Sequence, residues 1–162
     1  MTTKQTSLMV PSLIASNELH LDEDVLHVRC VGELDLPQMK QLVAVYDQCI
    51  DHFGYLLLLL DVERSTGMDM TSRRYGTDWA KHIITVQSSA VYGAGMIARG
   101  LLTMLNRATF LLARGKQSAM EFVGTEELGR QWLQAQRPLM VKAAMARSLD
   151  LQKAQAAGSK DD

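Results

Sequence analysis

Between Asp61 and Arg74 the chain gathers three acidic residues, three arginines and four hydroxyl side chains within fourteen positions. Carboxylates in such a run can trade protons, hydroxyls at a helix start can accept a phosphate beside the helix dipole, and arginines can grip a partner's carboxylates. Asp61, Arg64, Asp69, Met70, Arg73 and Arg74 are the candidate interaction residues, and Thr71 and Ser72 the candidate phosphoacceptors. Asp61 and Asp69 are also acid/base candidates by location, but an Asp at a strand end ordinarily caps the following turn or pairs with a nearby Arg. No G-x-S-x-G elbow and no recognisable Ser/His/acid set is present, so no catalytic residue is assigned and no enzyme is expected.

Other chemistry-bearing residues are weaker signals. Gly93 and Gly95 open a helix start whose free amides attract anions, but the fingerprint of a dinucleotide site is incomplete, and a plain strand-to-helix turn is expected. His20 and His27 face each other across a hairpin without a third ligand, so no metal is expected there, and no cofactor anywhere. Cys30 and Cys49 lack any paired spacing and read as buried reduced thiols. Ten methionines are many for 162 residues. Met68 and Met96, with Trp79, form a candidate apolar groove, because flexible thioethers adapt to varied apolar shapes.

The elements that must position these residues follow from periodicity. Asn17 to Gly32 alternates as a hairpin turning at Glu23-Asp24, with Leu19 opposite Val28 and Leu21 opposite Leu26. That register puts Leu19, Leu21, Leu26, Val28 and Cys30 on the core face and His20, Asp22, His27 and Arg29 on a solvated one. A helix follows from Leu36 to Phe53, with Asp35 as N-cap, Gln38 reaching back to it and Gly54 as the stop. Tyr55 to Leu60 is unbroken by polar residues, as a central strand covered on both faces should be, and it ends at Asp61 in a loop. A helix carrying Tyr75, Trp79 and Ile83, a strand at Ser88 to Tyr92 and a helix at Ile97 to Leu112 come next. A strand near Met120 to Val123 then leads to a helix capped by Thr125. Pro138 is expected to end the unit.

The predicted organisation is an arm at 1–16, an α/β domain at 17–137 and a helical extension with a frayed tail at 138–162. Its sheet is mostly parallel, edged by the antiparallel hairpin and flanked by about four helices. The 17 basic and 18 acidic side chains nearly cancel and no basic run is interleaved with aromatics, which argues against nucleic acid as a partner. With 47% apolar and 22% charged residues the composition is globular. Leu56–Leu60 is far too short to span a bilayer and the first residues carry no signal-like apolar stretch, so a cytoplasmic protein without a transmembrane segment is expected. The weak apolar stripe after Pro138 needs something to pack against, which points to self-association through the C-terminal helix.

Gly32-Glu33-Leu34-Asp35 before a helix, Leu58-Leu59-Leu60-Asp61 closing a buried strand, and a last helix containing Trp132-Leu133 carry a likeness. From Leu19 to Leu133 the chain resembles the SpoIIAA-like family, meaning STAS domains and their CRAL-TRIO-type lipid-carrier relatives. In STAS domains that antagonise anti-sigma factors, the strand-end Asp is followed eight residues later by Asp-Ser-Ser-Gly, whose first Ser is phosphorylated. Here that place reads Asp69-Met70-Thr71-Ser72: Asp69 matches, Met70 stands at the phosphoacceptor position, and Ser72 replaces the glycine. The resemblance implies a non-enzymatic regulatory module that presents this loop and helix to another protein. The lipid-carrier relatives imply an alternative, a module that binds an apolar or lipid-like ligand.

Overall fold

The computed structural model describes residues 8–83, 86–95 and 119–158. Strand β2 (Asn17–Asp22) and β3 (Val25–Leu34) form the expected hairpin, with Leu19 opposite Val28, His20 opposite His27 and Leu21 opposite Leu26. Its two-residue turn holds Glu23 at φ 53, a left-handed conformation unusual for a residue with a Cβ. The expected arm is partly built into the sheet, because Leu13–Ile14 forms a short strand β1 that pairs antiparallel with β2 and becomes the edge.

Helix α1 (Leu36–Phe53) starts where Asp35 accepts a hydrogen bond from the Gln38 amide at 2.9 Å and stops at Gly54, φ 83. The reciprocal half of the capping box is absent. Gln38 instead turns its Oε1 to the Asn17 amide group, 3.4 Å away, so it ties the helix to β2. Helix α1 buries Met39, Leu42, Val43, Val45, Tyr46, Cys49 and Ile50. Both cysteines are free, and burial pushes their thiols up to about 11, which keeps them unreactive.

Strand β4 (Leu56–Met68) is longer than expected. Its apolar half lies mid-sheet between β3 and β5, with Leu56, Leu57 and Leu59 essentially inaccessible. The polar half continues as strand where a loop was expected: Arg64 to Met68 pair with Val31 to Leu34 across two register shifts. β3 outlasts the leucine run, and its free backbone groups hold the polar continuation through ladder bonds without burial of its side chains. Only Asp69 then separates β4 from helix α2 (Met70–Ile83).

Strands β5 (Gln87–Tyr92) and β6 (Ala119–Phe122) complete a six-stranded sheet in the order β1 to β6, antiparallel up to β3 and parallel from there. The α/β class is as the sequence implies. Three helices are seen among the described residues, and the one expected at Ile97 to Leu112 lies outside them.

The last helix, α3 (Glu126–Gly158), begins at Thr125, whose hydroxyl accepts from the Leu128 amide. It does not end at Pro138. Proline removes one helix hydrogen bond, at a cost of roughly 3 kcal/mol. Anchors on both sides outweigh that loss: Leu133 (0% exposed) and Met140 are buried, and Arg130 and Arg137 bond the β2–β3 hairpin. Helices α1 and α3 cover opposite faces of the sheet. No helix among the described residues is long and apolar enough to cross a membrane.

Candidate functional site

The candidate residues fall into a buried base and an exposed tip. Asp61, expected on a presented loop, is a strand residue only 7% exposed. Its Oδ2 accepts from Arg29 Nε at 3.0 Å and its Oδ1 from the Glu63 amide at 3.0 Å. Arg29 also donates to Glu18 at 2.8 Å, and Arg64 reaches the same carboxylate at 3.6 Å. Asp61 therefore fixes the β3/β4 register and the bulge after it, and is not offered to a partner.

At the tip, Asp69 caps α2. One carboxylate oxygen accepts from the Thr71 hydroxyl (2.6 Å), the Ser72 amide (2.7 Å) and the Ser72 hydroxyl (2.9 Å). These bonds, the Thr71 hydroxyl first, hold its pKa down at about 2, so the cap stays charged through all ordinary pH. Ser72 is fully buried by this arrangement, whereas Thr71 and Arg74 are exposed and Met70 is 84% exposed. Arg73 is half-buried, and neither it nor Arg74 makes a salt bridge among the described residues.

Of the candidate groove residues, Met68 and Trp79 both pack against the core. Trp79 packs on Tyr46, ring centroids 5.5 Å apart, and gives its indole N–H to Asp47 at 2.8 Å. Met68 packs against the core at the end of β4, and Met96 lies outside the described residues. A cleft of about 280 Å³ sits against the β2–β3 hairpin, lined by Ser12, Glu18, Leu19, His20, His27 and Arg29. The Gly93–Gly95 turn makes a close approach to β4: a Cβ on Gly93 would meet the Glu63 backbone nitrogen at 2.7 Å.

A polar cluster beside Arg29 and Asp61, under α3, escaped the sequence reading. His27, expected on a solvated face, is 8% exposed because α3 crosses over it. Its Nε2 lies 2.8 Å from the Tyr92 hydroxyl, which donates in turn to Glu126 at 3.3 Å. Arg130 bonds Glu126 and Asp22, while Arg137 and the Tyr55 hydroxyl both bond Asp24. The i, i+4 pair Glu126/Arg130 was the available signal, but nothing in it named the strands beneath.

Burial lowers the His27 pKa below 6.5, against the attraction of Glu126. The unfolded imidazole, titrating near 6.5, takes up a proton that the folded one refuses, so stability falls as pH drops below that value. His27→Gln is expected to flatten this part of the pH–stability curve. Urea midpoints at pH 7.5 and 5.5 check it, and an unchanged slope refutes the assignment to His27.

The anti-sigma factor antagonist SpoIIAA in its unphosphorylated form superposes with a TM-score of 0.54 at 16% identity, over 74% of this chain and 98% of that one. The fold is SpoIIAA-like. An uncharacterised DUF3478-family protein from Shewanella loihica PV-4 with a SpoIIAA-like fold matches at a TM-score of 0.52, 16% identity, 73% of this chain and 92% of that one. No family model matches the sequence, and no curated protein matches it. In this SpoIIAA-like fold the Asp69-capped start of α2 follows the central strand, as the sequence likeness implied, though through a longer strand than expected.

Proposed function

We propose that the chain is a non-enzymatic regulatory module that binds another protein through the end of β4 and the start of α2. The observation that carries this reading is Met70, a large apolar side chain 84% exposed on a rigidly capped helix start. Arg64 and Arg74 are exposed on the same segment, and Arg73 adds a charge free of salt bridges among the described residues. Such an apolar anchor, with Arg73 and Arg74 one turn further along the same helix, suits a protein surface with a pocket and carboxylates beside it. The SpoIIAA-like fold supports the regulatory part, since the neighbour it matches is an anti-sigma factor antagonist. Thr71, exposed beside the cap, is the better placed of the two candidate phosphoacceptors; Ser72 is enclosed.

Native mass spectrometry of the protein purified from its own cells tests the proposal. A stoichiometric partner protein is expected on the unaltered chain and is expected to be lost from the Met70→Asp/Arg74→Glu variant, whose exposed substitutions leave the fold intact by circular dichroism. A partner retained by the folded variant, or none on the unaltered chain, overturns the reading.

A further inference from the structure

Of eight large apolar residues left exposed among the described residues, five lie on α3: Leu128, Leu139, Met145, Leu149 and Leu151. The buried anchors of that helix, Leu133 and Met140, face the sheet, while Leu128, Ala135, Leu139, Ala146 and Leu149 recur at steps of seven, four, seven and three on the outer side. That is the spacing of a helix–helix seam.

The helix also outruns the body that supports it. From Ser148 to Gln155 every residue is exposed, yet α3 continues to Gly158. A free helical end of that length is marginal in water on its own, and it carries Leu149 and Leu151 uncovered.

The geometry points to a second copy of this chain as the occupant, with the two α3 helices antiparallel along their outer faces. Charge along the helix argues for this partner and this direction. Its exposed start carries Glu127, and its C-terminal half carries Lys142 and Lys153 against one exposed acid, Asp150. An antiparallel pair sets the acidic start of each copy against the basic end of the other, Glu127 near Lys153 of the second copy, and opposes the helix dipoles. A parallel pair would stack like charges.

At 33 residues α3 is about 50 Å long, so a seam roughly 10 Å wide covers on the order of 500 Å² per copy. That is the low end of specific interfaces, and the dimer is accordingly expected to be reversible in the micromolar range.

Sedimentation equilibrium on the full chain from about 1 to 100 μM tests the inference. The mass is expected to rise from one chain to two across that range. Leu139→Glu/Leu149→Glu, both at exposed positions, should hold it at one chain with an unchanged circular dichroism spectrum. Glu127→Lys and Lys153→Glu should each weaken dimerisation at least several-fold, and the double swap should restore it. A chain that stays single at 100 μM, a dimer that survives Leu139→Glu/Leu149→Glu, or a double swap no better than the single ones overturns the proposal. A different protein held on this face by a chain that does not self-associate overturns it equally.

Discussion

Replacing Asn17 with alanine is expected to lower the unfolding free energy by about 3 kcal/mol, a large share of what a domain of this size has. Asn17 is 1% exposed and supplies bonds that the sheet ladder cannot. Its Oδ1 accepts from the Val31 amide at 3.0 Å, where the β3/β4 register shifts, and its Nδ2 donates to the Ile14 carbonyl at 3.1 Å. Alanine leaves an enclosed amide and an enclosed carbonyl without these partners, and each such loss costs about 1–3 kcal/mol. Asn17→Asp separates the two roles: it keeps the acceptor for Val31 but sets a carboxylate against the Ile14 carbonyl, and should be at least as damaging near neutral pH. Urea unfolding reads both. An alanine variant within about 0.5 kcal/mol of the parent would show that water replaces these bonds at no cost.

Gly93→Ala is expected to be comparably severe, at roughly 4 kcal/mol, because two independent penalties coincide. Gly93 sits at φ 76, where a Cβ is disfavoured, and that Cβ would lie 2.7 Å from the Glu63 nitrogen and 3.0 Å from its Cα. The obstacle is backbone, so no rotamer change relieves it. Glu63→Gly removes only the 2.8 Å contact with the Glu63 Cβ and should rescue Gly93→Ala little. Full rescue would mean that the clash is a side-chain matter. β4 must shift to admit the methyl, and the start of α2 moves with it, so partner binding at Met70 should weaken in the Gly93→Ala variant at temperatures where it is still folded.

Much of the frame was legible because burial writes itself into alternation. Leu19, Leu21, Leu26 and Val28 allowed one hairpin register, and the structure has it. Asp35 and Gly54 bounded α1 because helix ends need an acceptor and a residue free to turn left-handed. Three features were illegible for one reason: backbone and distant anchors hold them, not their own apolar pattern. Arg64 to Met68 form strand because β3 offers a ladder; α3 passes Pro138 because Leu133 and Met140 are pinned on either side; His27 is enclosed because α3 returns across β3. At the candidate site a capping role for an Asp at a strand end was the ordinary expectation, and Asp69 fills it through Thr71 and Ser72. The enclosure of Asp61 by Arg29 followed only from knowing which residues the register places side by side.

The turn Asp22-Glu23-Asp24 is written early in the chain, and the guanidinium groups that neutralise it, Arg130 and Arg137, come 108 and 113 residues later. During synthesis the hairpin thus emerges with three mutually repelling carboxylates, and 108 and 113 further residues must follow before its counterions exist. Helix α3 is thus the clasp for the β2–β3 hairpin, and the two close in one step.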